Sequence, residues 1–199
     1  VGEWVFKQVC ELLIAWLQRE DKPVSKLAIN VSSRQFNNPE FLLMVKAALS
    51  ANHGLADMLE FELTEEVLVG DLEHTSKIFE EIKKLGISIA IDDFGTGYSS
   101  LSYLKRLPID KLKIDRSFVM DVPEDKNDAA IVETIIAMAS TLGLRVTAEG
   151  VETQQQVTFL QNLDCDFLQG YFYSKPISIE QFDIFAGAYH KKWPINHSK

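Results

Sequence analysis

The stretch SIAIDDFGTGYSSL, residues 88–101, ends an apolar run in two adjacent aspartates and follows them with a loop holding two glycines. Neighbouring carboxylates repel each other unless something positive lies between them or they stay in water. A metal ion, a cationic side chain and plain solvent exposure each answer that repulsion. Other polar residues late in apolar runs join the aspartates as candidates: Asn30, Glu62, Lys113, Glu149 and Gln169. Four carboxylates and two amide oxygens, with a lysine beside them, suit hard divalent ions such as Mg2+ or Mn2+, which take oxygen ligands. Carboxylates that bridge two such ions are the usual device for in-line cleavage of a phosphodiester.

The elements that must bring these residues together are legible as alternation. Six runs read as strands: 26–32, 58–66, 88–94, 111–118, 144–151 and 166–173. Segments of helical period separate them, at 3–19, 39–51, 71–85, 99–106, 127–142, 153–163 and 178–190. Pro39 suits the first turn of its helix, and Gly86 and Gly143 stop theirs. Strand–helix alternation implies parallel strands with crossover helices, in a doubly wound sheet or a (β/α)8 barrel.

Parity chooses between the two. Side chains alternate faces along a strand. Leu59, Phe61 and Leu63 oppose Glu60, Glu62 and Thr64, Ile87, Ile89 and Ile91 oppose Ser88, Ala90 and Asp92, and Leu112 and Ile114 oppose Lys111, Lys113 and Asp115. A doubly wound sheet is covered by helices on both faces and needs apolar residues on both. One apolar and one polar face predicts a TIM-like barrel, with chemistry at the C-terminal mouth. Asp92 then points inward and Asp93 starts the loop. Run 166–173 fits the alternation least. Six strands out of eight imply that an N-terminal part of the barrel lies outside this sequence. Residues 1–190 read as one barrel domain and 191–199 as a tail.

Composition limits the partners. With 199 residues, 46% hydrophobic, the chain can bury one good core. A net charge of -9 argues against binding a nucleic-acid polymer, which needs basic patches. Two isolated cysteines, Cys10 and Cys165, fit a reduced, cytoplasmic setting, and no run approaches membrane-spanning length. His53, His74, His190 and His197 fall away from the strand ends, against a histidine-rich metal site.

The motifs, taken in order, resemble the EAL-domain family of cyclic di-GMP phosphodiesterases, which are (β/α)8 barrels. They are NVSSRQF from Asn30, FELTEE from Phe61, DDFGTGYSSL from Asp92, PIDKLKID from Pro108, TAEGVET from Thr147 and LQGYFYSKP from Leu168. The resemblance implies hydrolysis of cyclic di-GMP to pGpG, or, in receptor versions, binding without cleavage. It implies that Asn30, Glu62 and Asp92 hold one metal and Asp92 and Asp93, assisted by Glu149, a second. It makes Lys113 the residue that positions or deprotonates the attacking water, with Asp115 orienting Lys113 or a water. Gln169 would contact the same solvent network. Glu65 would steady a mobile loop at 94–101, and Glu152 would sit near the guanine pocket. The resemblance further implies a homodimer, upstream sensory or cyclase domains, and no direct membrane contact by this domain. The signature Glu-Ala-Leu tripeptide is absent from the chain. That absence matches the two missing strands and leads us to expect weak activity, lower stability or association through open edges from these residues alone.

Overall fold

The computed structural model describes residues 2–20, 23–69, 72–97 and 104–192. Six strands form one parallel sheet in chain order: β1 (Leu27–Asn30), β2 (Leu59–Thr64), β3 (Ser88–Phe94), β4 (Lys111–Ile114), β5 (Arg145–Ala148) and β6 (Phe167–Leu168). A doubly wound sheet reverses its strand order at a switch point. Here each strand pairs with its sequence neighbour throughout, as in the wall of a barrel. The described helices are α1 (Gly2–Leu17), α2 (Ser33–Phe36), α3 (Pro39–Ala51), α4 (Leu72–Lys84), α5 (Arg116–Val119), α6 (Lys126–Leu142), α7 (Gln154–Asn162) and α8 (Ile179–Lys192). Most of the helix expected at 99–106 lies outside the described residues. None of the described helices is long and apolar enough to cross a membrane.

The core follows the apolar parity. Ile29, Phe61, Leu63, Ile89, Ile91, Leu112, Ile114 and Val146 are buried against Phe6, Leu13, Val45, Phe79, Val132 and Leu160 of the helices. Phe61 meets Phe6 edge-on at 6.3 Å between ring centres, and Phe36 meets Phe79 in the same way at 5.1 Å. Burying rings of this size is the largest local source of stability, and truncating one costs about 3–5 kcal/mol.

Every strand but β3 is shorter than its apolar run, and three of them have a clear local reason. The run 111–118 ends at Ile114 because the Asp115 carboxylate accepts from the Ser117 backbone N–H and caps α5. Asp115 therefore leaves the parity it was assigned. The run 58–66 ends at Thr64, and Glu65–Leu68 coil into a 3-10 turn. The run 166–173 keeps two paired residues before Gly170, where a side chain would strike the Val151 backbone at 2.1 Å. The short helix α2 has no apolar period of its own. It is held by a capping box in which Ser32 and Gln35 satisfy each other's backbone N–H groups.

Candidate metal centre

The polar parity of β2, β3 and β4 converges on Lys113. Its ammonium lies 2.9 Å from Glu62, 3.0 Å from Asp92 and 2.7 Å from Glu149. The lysine is only 3% exposed. Burial alone would lower its pKa, but the Glu62 charge and the hydrogen bonds to Glu149 and Glu62 outweigh it and hold the ammonium above the ordinary lysine range. The acids experience the reverse. Burial pushes the Glu62 and Glu149 carboxyls up, and Lys113 only partly counters it. One lysine does not neutralise the acids gathered around it.

Asp93 completes the set by a route that alternation does not foresee. Adjacent strand residues normally face opposite sides. The ladder between β3 and β4 slips between Ile91 and Phe94, a β-bulge, and Asp93 takes a φ of 53°. Aspartate is among the few non-glycine residues that visit this left-handed region readily, and strain of this kind gathers at functional sites. The bulge brings carboxylate oxygens of Asp92, Asp93 and Glu149 within 4.8 Å of one another. Burial, Asp92 and Asp115 all push the Asp93 carboxyl up. Three half-buried acids in such a cluster offer the oxygen donors that a hard divalent cation takes.

Around this centre the remaining predicted residues fall into distinct places. Asn30 pairs in register with Glu62 and is exposed on β1. Burial would raise the Asp115 carboxyl, but hydrogen bonds from Ser117, from the Arg116 backbone and from Asp93 hold it below its usual range. Glu65 is buried and accepts from the backbone N–H groups of Gly95 at 3.2 Å and Gly97 at 3.1 Å. A side chain on Gly97 would stand 3.0 Å from that carboxyl, so Glu65 would have to give by a few tenths of an ångström to admit one. Residues 98–101 of the expected loop lie outside the described residues.

Two further predicted residues are exposed just past the ends of β5 and β6. Glu152 is exposed and pairs with Arg116 at 3.2 Å. Gln169 is exposed and lines an open cavity of about 670 Å³ beside β6, with Leu168, Gly170 and Tyr173. His53 and His74 are exposed, as expected of histidines outside the site. Burial pushes the Cys10 and Cys165 thiols up to about 11, which leaves them as unreactive thiols. Sequence reading missed Ser117, whose N–H and hydroxyl both donate to Asp115. An aspartate followed two residues later by serine at a strand end is the helix-cap signal that would have found it.

The comparisons with known proteins agree on one family. The EAL domain profile matches residues 1–176. The chain is 41% identical over 189 residues to the cyclic di-GMP phosphodiesterase NbdA of Pseudomonas aeruginosa, covering 95% of this chain and 24% of that protein. It is 41% identical over 181 residues to the bifunctional diguanylate cyclase/cyclic di-GMP phosphodiesterase MucR of the same organism, covering 91% of this chain and 26% of that one. It thus spans about a quarter of the length of these relatives. Among solved structures, the MucR phosphodiesterase in complex with c-di-GMP is 42% identical, with a TM-score of 0.83 over 90% of this chain and 72% of that one. The EAL domain of Mycobacterium smegmatis DcpA is 38% identical, with a TM-score of 0.85 over 94% of this chain and 84% of that one.

Proposed function

Because the chain belongs to the EAL-domain family, we propose that it carries the mouth of a metal-dependent phosphodiesterase that opens cyclic di-GMP to linear pGpG. The observation that carries this reading is the cluster of Asp92, Asp93 and Glu149 oxygens within 4.8 Å, next to a lysine clamped between Glu62, Asp92 and Glu149. In this reading Asn30, Glu62 and Asp92 hold one cation, and Asp92, Asp93 and Glu149 hold a second. Mg2+ or Mn2+ bound there would offset the acids, acidify a coordinated water and polarise the phosphoryl oxygen.

The chain's own residues do the rest. Lys113, freed from part of its ion pairs when cations take up the acids, orients the attacking water and offers positive charge to the phosphoryl oxygens. Asp115, fixed by Ser117, orients Lys113 or a water. Glu65 fixes the backbone at Gly95 and Gly97 directly after the two aspartates. Gln169 and Glu152 contact the substrate from the rim. We assign residues 1–190 to the barrel domain and 191–199 to a tail. A cytoplasmic homodimer belongs to the same proposal, as do upstream sensory or cyclase domains, for which relatives about four times as long leave room.

A second reading is a receptor that holds cyclic di-GMP without cutting it, although the DDFG and ELTE stretches that receptor versions often lose are intact here. Incubating the protein with cyclic di-GMP and Mg2+ or Mn2+ and separating the nucleotides by chromatography tests both. A pGpG product that vanishes in EDTA supports the phosphodiesterase. Binding with no product over hours supports the receptor, and no binding at all overturns both.

A further inference from the structure

The turn that carries Glu149 is held from three directions, and one of them is a side chain that the proposed reaction does not use. After β5 ends at Ala148, the chain runs through Glu149, Gly150, Val151 and Glu152 to Thr153, the cap of α7. On the β6 side, Val151 donates to the Gln169 carbonyl at 3.0 Å and accepts from the Phe172 N–H at 2.9 Å. At the far end, the N–H groups of Glu152 and Thr153 donate to the Gln156 carboxamide oxygen at 2.7 and 2.9 Å. The carboxamide nitrogen of Gln156 donates in turn to the carbonyls of Val119 and Met120 at the end of α5. These bonds fix Val151, Glu152 and Thr153. None of them reaches Gly150.

Arg116 of α5 covers that position. Gly150 takes a φ of 72°. A side chain on it would stand 2.3 Å from Cγ of Arg116, 2.9 Å from Cβ and 3.0 Å from Cδ. The aliphatic stem of Arg116 therefore lies against the Gly150 backbone, in the space where any other residue carries its own Cβ. Arginine packs its stem in this way while its charged head stays in water. The guanidinium reaches Glu152 at 3.2 Å, with the two side chains 54% and 43% exposed. An ion pair so open to water contributes little. The stem, and not the charge, is the part that can hold the turn.

Glu149 needs such a hold. Its carboxylate oxygens lie close to those of Asp92 and Asp93, all within 4.8 Å, and like charges at that range repel. Its backbone is outside β5, tied to β4 by one bond of 3.2 Å from its N–H to the Ile114 carbonyl. We propose that Arg116 is a positioning residue for the metal centre: its stem clamps Gly150 and so keeps the Glu149 carboxylate within reach of the cation. This rests on the metal-centre reading above and adds to it a residue that touches neither cation nor substrate.

Titration with Mn2+ alone, with free Mn2+ followed by electron paramagnetic resonance and no nucleotide present, tests the clamp. Groups that orient a metal ligand from behind change metal affinity by roughly 10- to 100-fold. Arg116→Ala should therefore weaken Mn2+ by at least ~10-fold, with an unchanged melting curve in EDTA. Arg116→Met keeps a stem without the charge and should stay within about threefold of the unaltered protein, a smaller change than loss of an orienting group brings. In EDTA, Arg116→Ala should also speed hydrogen exchange at the Glu149 amide and leave the Val151 amide, held from β6, as it was. Mn2+ affinity indifferent to Arg116→Ala overturns the proposal, and so does Arg116→Met as weak as Arg116→Ala, which would make the charge the working part. No Mn2+ binding by the unaltered protein would instead overturn the metal-centre reading. The clamp would then be decided by the Glu149 amide, and unchanged exchange there in Arg116→Ala overturns it.

Discussion

The mouth and the floor of this sheet are built from the same residue types on the same strands, two positions apart, yet their charge balance is opposite. At the mouth one lysine, Lys113, faces Glu62, Asp92 and Glu149, with Asp93 close by. At the floor one glutamate, Glu60, faces Lys111 amid Lys26 and Arg145. Step by step along β2 and β4, Glu60 and Glu62, and Lys111 and Lys113, share one face. The difference is made by what the neighbouring strands add. β3 and the end of β5 add Asp92, Asp93 and Glu149 above, whereas the strand starts add Lys26 and Arg145 below. A face that is merely polar in sequence becomes rich in acids at one end and richer in bases at the other.

The sharpest way to break this comparison is to alter one carboxylate at each end. Asp92→Asn keeps the shape but loses the charge shared between two cation sites. Turnover of cyclic di-GMP should fall at least ~10³-fold, roughly 4 kcal/mol of barrier. Glu60→Gln, measured in the same chromatographic assay, should leave turnover within a few-fold. Similar losses from both would remove the functional distinction between the two layers.

Next in size is the pair of lysines. Lys113→Ala should lower the maximal rate by about 10²-fold while changing KM little, because a group that orients the nucleophile acts in the transition state. A raised KM with an unchanged rate would make Lys113 a substrate clamp. Lys111→Met should mainly lower the melting temperature, because it leaves Glu60 buried without its ion-pair partner.

Backbone anchoring separates the ends more gently. At the mouth, Glu65 alone holds the Gly95 and Gly97 N–H groups. Glu65→Ala should speed hydrogen exchange at those two amides by about 10-fold, the scale of one hydrogen bond to a charged acceptor. Exchange at Ile89 and Val146, held by Asp110 and Asp166 at the floor, should not change. Equal acceleration at both ends would indicate general loosening of the sheet.

The smallest expected effect is a pH dependence confined to the mouth. Glu62, Asp93 and Glu149 have folded pKa values raised above their unfolded ones, chiefly by burial. The stability they contribute is full below the ordinary carboxylate pKa and is lost as pH rises through the raised values. Lys113 is also raised, so its contribution is intact well past neutrality. Without metal, the mouth should therefore destabilise the fold by a small amount over the pH range above the ordinary carboxylate pKa. Mg2+ stabilises only the folded state, so the gain in melting temperature over EDTA should grow across that range. A gain independent of pH would place the cation elsewhere.

The sequence alone determined the parallel wall and its polar face. Period-2 alternation and strand–helix order are local, and each strand pairs with its sequence neighbour, so Asn30, Glu62, Asp92, Lys113 and Glu149 could be assigned to one side without any long-range knowledge. Three features were decided only by the tertiary structure. Asp93 joins the acids because β4 forces a bulge in β3, and pairing with another strand is invisible to a local pattern. Asp115 leaves the strand because capping α5 satisfies backbone groups that a longer strand would leave without a ladder partner. The floor cluster went unread because Lys26, Glu60, Lys111 and Arg145 each look like an ordinary surface charge in sequence. Their meaning lies in a charge balance summed over five strands and in one buried oxygen of Glu60, and both exist only once the sheet has assembled.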